Sequence, residues 1–203
     1  MRASKFCFFL AVVAATFLLG GCAYSIHPYY ISTDNVREPG LVGAWIGSDK
    51  DAIKTTIQQK SDGSYEISGR DPDSNIEARY SVHLFRLGSD LFADAIFDGE
   101  SQNGKDIDLP GGVVPLHLIY KVSLNGDTLQ TAGLNHDWLI SQFKAGKISV
   151  AHQMMGEKSD GDILFTAPPD ELRKFIAQIA GVPDAFEEPD TLHRVKQTAA
   201  GAN

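Results

Sequence analysis

The feature that most restricts the fold of this chain is the alternation of apolar and polar residues over short segments. Two segments show it most clearly, and their apolar sides carry Tyr80, Val82 and Leu84 in the first and Leu116, Leu118, Tyr120 and Val122 in the second. A period of two places successive side chains on opposite faces of an extended strand, whereas a helix needs a period near 3.6. We therefore expect a chain built mainly from strands.

About nine strands of this kind are predicted between Leu41 and Thr166. They cover residues 41–47, 53–59, 65–70, 77–87, 91–97, 113–124, 128–134, 148–153 and 162–166. The Ser-Asp-Gly-Ser sequence at 61–64 predicts one hairpin loop, and the pair Asn125-Gly126 suits a two-residue type I′ turn. Many short strands at this spacing are typical of a barrel or a sandwich.

Two helices are predicted among and after the strands. Asn135 can cap a short inserted helix over 136–145. A second helix over 169–180 begins with a proline and two acidic residues, and its apolar residues form one stripe. We expect this amphipathic C-terminal helix to pack on the outside of the sheet.

Composition excludes two classes of protein. Of 203 residues, 26 are acidic and 18 are basic, so the formal net charge is −8. A nucleic-acid binder usually carries a basic excess, so no nucleic-acid partner is expected. The chain has two cysteines, whereas a disulfide-stapled scaffold needs many more.

The N-terminus has the order of a secretory signal peptide. Two basic residues precede an apolar run over 6–19, which is too short for an ordinary transmembrane helix, and small residues follow it. The string Leu19-Gly20-Gly21-Cys22 resembles the lipobox of bacterial lipoproteins. That resemblance implies removal of residues 1–21 and attachment of acyl chains such as palmitate to Cys22.

The expected location of the protein in the cell follows from this resemblance. Acyl chains on Cys22 would anchor the protein in a membrane, because each buried methylene contributes about 0.8 kcal/mol and several chains together hold firmly. Ala23 follows the cysteine, which in Gram-negative lipoproteins implies the outer membrane, with the protein facing the periplasm. The alternatives are an uncleaved anchor and a soluble secreted protein.

Four regions are expected along the chain. They are a signal peptide at 1–21, the lipidated cysteine and a tether at 22–40, a barrel domain with its C-terminal helix at 41–186, and a flexible tail at 187–203. The tether contains prolines and scattered polar residues without periodicity, and the tail is polar with small residues.

The start of the first predicted strand resembles the lipocalin and calycin barrels. Leu41-Val42-Gly43-Ala44-Trp45 contains their Gly-x-Trp motif. The resemblance implies an all-β fold, a closed antiparallel barrel of about eight or nine strands with room for one small ligand. The chain departs from the family pattern, because the predicted last strand over 162–166 lacks the arginine that covers the tryptophan. It also resembles a group of bacterial lipoproteins that share Leu-Val-Gly-x-Trp, a group that implies no activity.

Five residues are candidates for a ligand site inside the barrel, namely Trp45, Tyr80, His83, Asp94 and His117. Trp45 could equally be an ordinary core residue. His83, Asp94 and His117 lie on three central strands and could share one face, where they would either line the interior or, with His152, bind a divalent metal. We favour polar lining, and expect no metal and no cofactor.

No motif for catalysis stands out. The sequence contains no Gly-x-Ser-x-Gly and no phosphate-binding glycine loop, so no catalytic residue is assigned and the protein is not expected to be an enzyme. Three functions stay open: binding of a small apolar or amphipathic ligand, a structural or protein-interaction role with a filled barrel, and an envelope hydrolase. An interior cavity below about 300 Å³ would count against the first.

Overall fold

The computed structural model describes residues 23–34, 36–48, 52–107, 114–155 and 161–196. The predicted signal peptide and Cys22 lie outside these residues. Within the described part of the chain, no helix is long and apolar enough to cross a membrane.

Strands dominate the described residues. They are β1 (Ala23–Ser25), β2 (Gly43–Gly47), β3 (Thr55–Gln59), β4 (Tyr65–Arg70), β5 (Ile76–Leu87), β6 (Asp90–Gln102), β7 (Lys105–Asp106), β8 (His117–Asn125), β9 (Thr128–Gly133), β10 (His152–Met155), β11 (Asp162–Phe165) and β12 (Asp190–Arg194). The two α-helices of this part are α1 (His136–Lys144) and α2 (Pro169–Ile179). Both helices lie within a residue of the predicted bounds.

Eight of the described strands close into an antiparallel barrel. Their order is β2, β3, β4, β5, β6, β8, β9 and β12, and β12 pairs with β2 to complete the ring. The predicted fold class, an all-β lipocalin-like barrel with a short inserted helix and a C-terminal helix, is confirmed.

The strand that closes the barrel was predicted to be part of a flexible tail. Residues 190–194 instead pair with β9 through Asp190–Thr131 and with β2 through Arg194–Trp45. The prediction failed because Leu192 is the single apolar residue of this strand, which is too little for a visible alternation. Leu192 is only 2% exposed, so this one inward side chain is a full member of the core. Residues 197–203 lie outside the described residues.

The predicted tether is also folded over most of its described length. Ala23–Ser25 runs parallel to β11 and meets β8 through Ser25 and His117. Tyr29 is completely buried. A three-residue strand is too short to show periodicity, and its partners lie more than ninety residues away in the chain.

Two smaller features differ from prediction. The β8–β9 turn residues are Gly126 and Asp127, and only Gly126 has a positive φ, of 58°, as in a type II′ turn. The strand predicted at 148–153 is displaced to β10.

Two hydrophobic cores share the wall of the barrel. The inner core fills the barrel and includes Trp45, Tyr65, Val82, Tyr120 and Leu192. The outer core lies between the barrel and the elements packed on it, and includes Tyr29, Phe85, Phe92, Phe165 and Ile176. Strands β5 and β6 therefore bury apolar side chains on both faces, which allows α1, α2 and the β1–β10–β11 strands to pack against the barrel.

Candidate functional site

The barrel interior is almost completely filled. It encloses a cavity of about 40 Å³, and only apolar atoms are exposed to that cavity. Tyr80, one of the predicted site residues, lines it together with Tyr65 and Tyr120. Sites for small molecules usually have volumes of about 300–1,000 Å³, so this cavity is far too small for a typical ligand.

Trp45 belongs to the inner core but does not line this cavity. Its ring is fully buried, and its Nε1 donates to the Leu41 carbonyl oxygen at 2.8 Å. The guanidinium carbon of Arg194 lies 4.2 Å from the ring centroid. Arg194 also donates to the carbonyl oxygens of Val42, at 2.8 Å, and Gly40. Its Nε lies 3.1 Å from Asp127 Oδ1, so the cation is held by the ring, two carbonyls and a carboxylate.

The predicted last strand over 162–166 lacks an arginine that could cover the tryptophan, but Arg194 supplies one. The last strand of the barrel is β12, not 162–166, and its Arg194 covers the tryptophan. Gly43 allows this contact, because a Cβ atom at this position would lie 2.5 Å from an Arg194 nitrogen. The φ angle of Gly43 is +143°, a backbone conformation that residues with a side chain rarely adopt. The Gly-x-Trp pattern and the covering arginine therefore occur together in this barrel.

The three central polar residues do lie together, but outside the barrel. Asp94 is completely buried, and its Oδ1 lies 2.7 Å from Nδ1 of His117. Its Oδ2 accepts a hydrogen bond of 2.7 Å from the backbone N–H of Tyr29. The prediction that these residues line the interior is wrong, because their neighbours Ala93, Ala95 and Leu118 on the same strands face the cavity instead.

His83 belongs to the same outer cluster. Its ring stacks on Tyr30 with centroids 4.2 Å apart, and in the strand register it lies opposite Asp94. Burial lowers the pKa of His83, and the nearby carboxylate of Asp94 opposes this. The cluster therefore fastens residues 29–30 onto the barrel wall.

The metal alternative finds no support in this cluster. Within the described ranges, no three histidine, cysteine or carboxylate side chains are grouped so that they could hold a metal ion. His152 lies elsewhere, stacked on Phe143 at 3.6 Å.

Tyrosine hydroxyls in the barrel are in a poorly solvated environment. Burial, reinforced by Glu100, raises the pKa of Tyr80 to about 12, and the pKa of Tyr120 is raised mainly by burial as well. Tyr80 packs edge-on against Phe97 at 5.5 Å. These rings are core residues with polar tips, consistent with a filled barrel.

A second concavity lies on the outside, and sequence reasoning missed it. This outer groove has a volume of about 470 Å³. Its lining comes from β5, β6, β8, β9 and three connecting segments, and comprises Glu38, Arg86, Ser89, Asp90, Leu91, Lys121, Val122, Ser123, Leu124, Gln130, Ala132 and Pro189. Because these residues are scattered from 38 to 189, no local motif could indicate the groove.

The charges of the outer groove are mixed and partly paired. Lys121 Nζ lies 3.1 Å from Asp90 Oδ1 and donates to the Ala180 carbonyl oxygen at 2.8 Å. Arg86 is exposed and donates to the Ser89 carbonyl oxygen at 3.1 Å. Glu38 contributes a second carboxylate. The arrangement suits a partner that carries both signs of charge, not a simple anion or cation.

Comparison with known proteins found no match, whether against protein-family models, curated proteins or solved structures.

Proposed function

We propose that this protein is a lipid-anchored protein of the bacterial cell envelope, held in the outer membrane by acyl chains on Cys22 and facing the periplasm. Its barrel is a filled scaffold, and the outer groove binds a polar segment of another envelope protein. The lipobox string at 19–22 supports the anchor.

The contrast between the two concavities carries the choice of function. The interior offers about 40 Å³, whereas the outer groove offers about 470 Å³. Only the second lies within the range of volumes at which proteins usually hold ligands. This favours the interaction role over binding of a small molecule inside the barrel.

The chemistry of the outer groove favours an extended peptide as the partner. The partly exposed side chain of Leu124 lies among charged and polar ones, so the groove can accept a mainly polar segment with an apolar side chain in it. Exposed Arg86 can pair with a carboxylate and Glu38 with a basic side chain. Such polar contacts chiefly set specificity and register.

Photocrosslinking in cells tests this role. A photoreactive side chain at Ser123, in the groove, should give one specific protein adduct, and Arg86→Glu should abolish it. The matched control is the same probe at Gln58, an exposed position on β3, which should give no such adduct. Equal adducts at both positions, or an adduct that Arg86→Glu leaves unchanged, would contradict the proposed groove.

A small apolar ligand remains the second candidate, because the interior cavity exposes only apolar atoms. Native mass spectrometry of the purified protein distinguishes the two functions. We expect the mass of the processed, acylated chain alone. A bound small molecule that is lost in Ala95→Leu, which would fill the cavity, would instead establish the ligand function.

A further inference from the structure

We infer that the membrane surface lies directly against one flank of the fold, so that the anchor also orients the barrel. This inference rests on the proposed acylation of Cys22. We define the anchor flank as Ala23, His136, Met154, Met155 and Asp162. It contrasts with the sequence-based expectation of a spacer between membrane and domain.

The first argument is the length of free chain after the acylated residue. Ala23 follows Cys22 directly, and consecutive Cα atoms are about 3.8 Å apart. Ala23 is already the first residue of β1 and is 4% exposed. The chain therefore provides no flexible residues between the acyl chains and the folded domain.

The second argument is that the start of β1 is firmly held. Ala23 pairs with Ile163 of β11, and Ser25, fully buried, pairs with His117 of β8. Four residues further on, the backbone of Tyr29 is bonded to Asp94. Pulling β1 out as a spacer would break these contacts, so the domain stays at the membrane.

The third argument identifies the neighbours of the anchor. The parallel pairing of Ala23 with Ile163 places the start of β11, Asp162, at the end of β1 from which Cys22 leaves. Asp162 in turn pairs with Met155 of β10. His136 Nε2 lies 3.1 Å from the Gly161 carbonyl oxygen, which brings the start of α1 to the same place.

The charge of the anchor flank determines which kind of lipid surface it can contact. Asp137 is exposed beside His136, and Asp162 adds a second acid, so attraction to anionic headgroups cannot provide the contact. Exposed Met154 offers an apolar side chain instead. The expected surface is a zwitterionic bilayer against which the acyl chains hold the flank.

Fluorescence quenching tests the orientation in the full acylated protein. The protein is reconstituted in phosphatidylcholine vesicles that contain a nitroxide-headgroup lipid. Because the sulfur of Cys22 is acylated, a fluorophore can be attached to a single introduced cysteine. Met154→Cys should be quenched several-fold more strongly than Gln58→Cys, since β3 lies opposite β8 in the ring of eight strands.

A spacer variant supplies the control. Twelve Gly and Ser residues inserted between Cys22 and Ala23 would add a reach of about 20 Å and should remove most of the difference between the two labels. Equal quenching at both positions without the insertion would overturn this inference while leaving the anchor intact. A chain whose mass shows no acyl groups would instead overturn the anchor itself.

Discussion

Asp94 joins three segments that are far apart in the chain. Its carboxylate on β6 contacts His117 on β8 and the backbone of Tyr29, and it has no exposure to solvent. A buried charge of this kind is tolerated only when it is fully paired. Its role is therefore to fix the N-terminal segment in one position on the barrel wall.

Removing this carboxylate should strongly destabilise the protein. Asp94→Ala leaves the N–H of Tyr29 and the ring of His117 without their partner, so the free energy of unfolding should fall by about 3–5 kcal/mol. Urea unfolding measures the change. The control is Asp98→Asn, an exposed residue on the same strand, which should stay within about 0.5 kcal/mol of the wild type. A similar small loss for Asp94→Ala would contradict the role assigned to this residue.

Arg194 has the corresponding role at the end of the barrel. Arg194→Met keeps the apolar stem but loses the cation over Trp45, the bonds to two carbonyls and an ion pair with the exposed Asp127, so stability should fall by about 2 kcal/mol. Trp fluorescence should also shift to the red as water reaches the indole. Arg70→Met, which removes an exposed ion pair with Glu77, should cost at most about 0.5 kcal/mol. Equal losses in the two variants would show that Arg194 is only a surface cation.

At the scale of elements, the barrel depends on a short strand near the C-terminus. β12 lies between β9 and β2, so its loss leaves two exposed strand edges and removes Leu192 from the inner core. Because every strand edge in the closed barrel is paired, we expect the seven remaining strands to form no stable barrel.

Truncation distinguishes a closing strand from a tail. A chain that ends at Pro189 should fail to fold cooperatively, as seen in the loss of a sharp thermal transition. A chain that ends at Lys196 retains all of β12 and should unfold like the full protein. A cooperative transition in the shorter chain would show that β12 is dispensable.

On the scale of the whole molecule, the filled barrel predicts a limit to stability in alkali. An unfolded tyrosine loses its proton near pH 10, whereas Tyr80 in the barrel keeps it until about pH 12. Between these values the unfolded chain binds fewer protons, so stability falls as the pH rises.

Tyr80→Phe tests this directly. The variant lacks the ionisable hydroxyl, so its free energy of unfolding should decline less steeply than that of the wild type between pH 10 and 12. From pH 7 to 9 the two curves should run parallel, because the tyrosine is neutral in both states. Parallel curves throughout the alkaline range would mean that the hydroxyl of Tyr80 is well solvated in the fold.

Alternation along the chain predicted most of the barrel strands, although it left a barrel and a sandwich both open. It correctly predicted which residues of β5 and β8 share a face, and it predicted that His83, Asp94 and His117 lie on a common face. It could not determine which face points inward, because Phe85, Phe92 and Ile119 make the outer face apolar as well.

Only the tertiary structure decided the rest, since those features depend on partners that are distant in the sequence. β1 and β12 are too short to show a period, and they become strands because β8, β9, β11 and β2 provide their hydrogen bonds. Whether a barrel is hollow or filled likewise depends on how side chains from all its strands meet. Here the side chains of the barrel strands leave a cavity of about 40 Å³, and their packing, rather than any motif, determines how much room the interior offers.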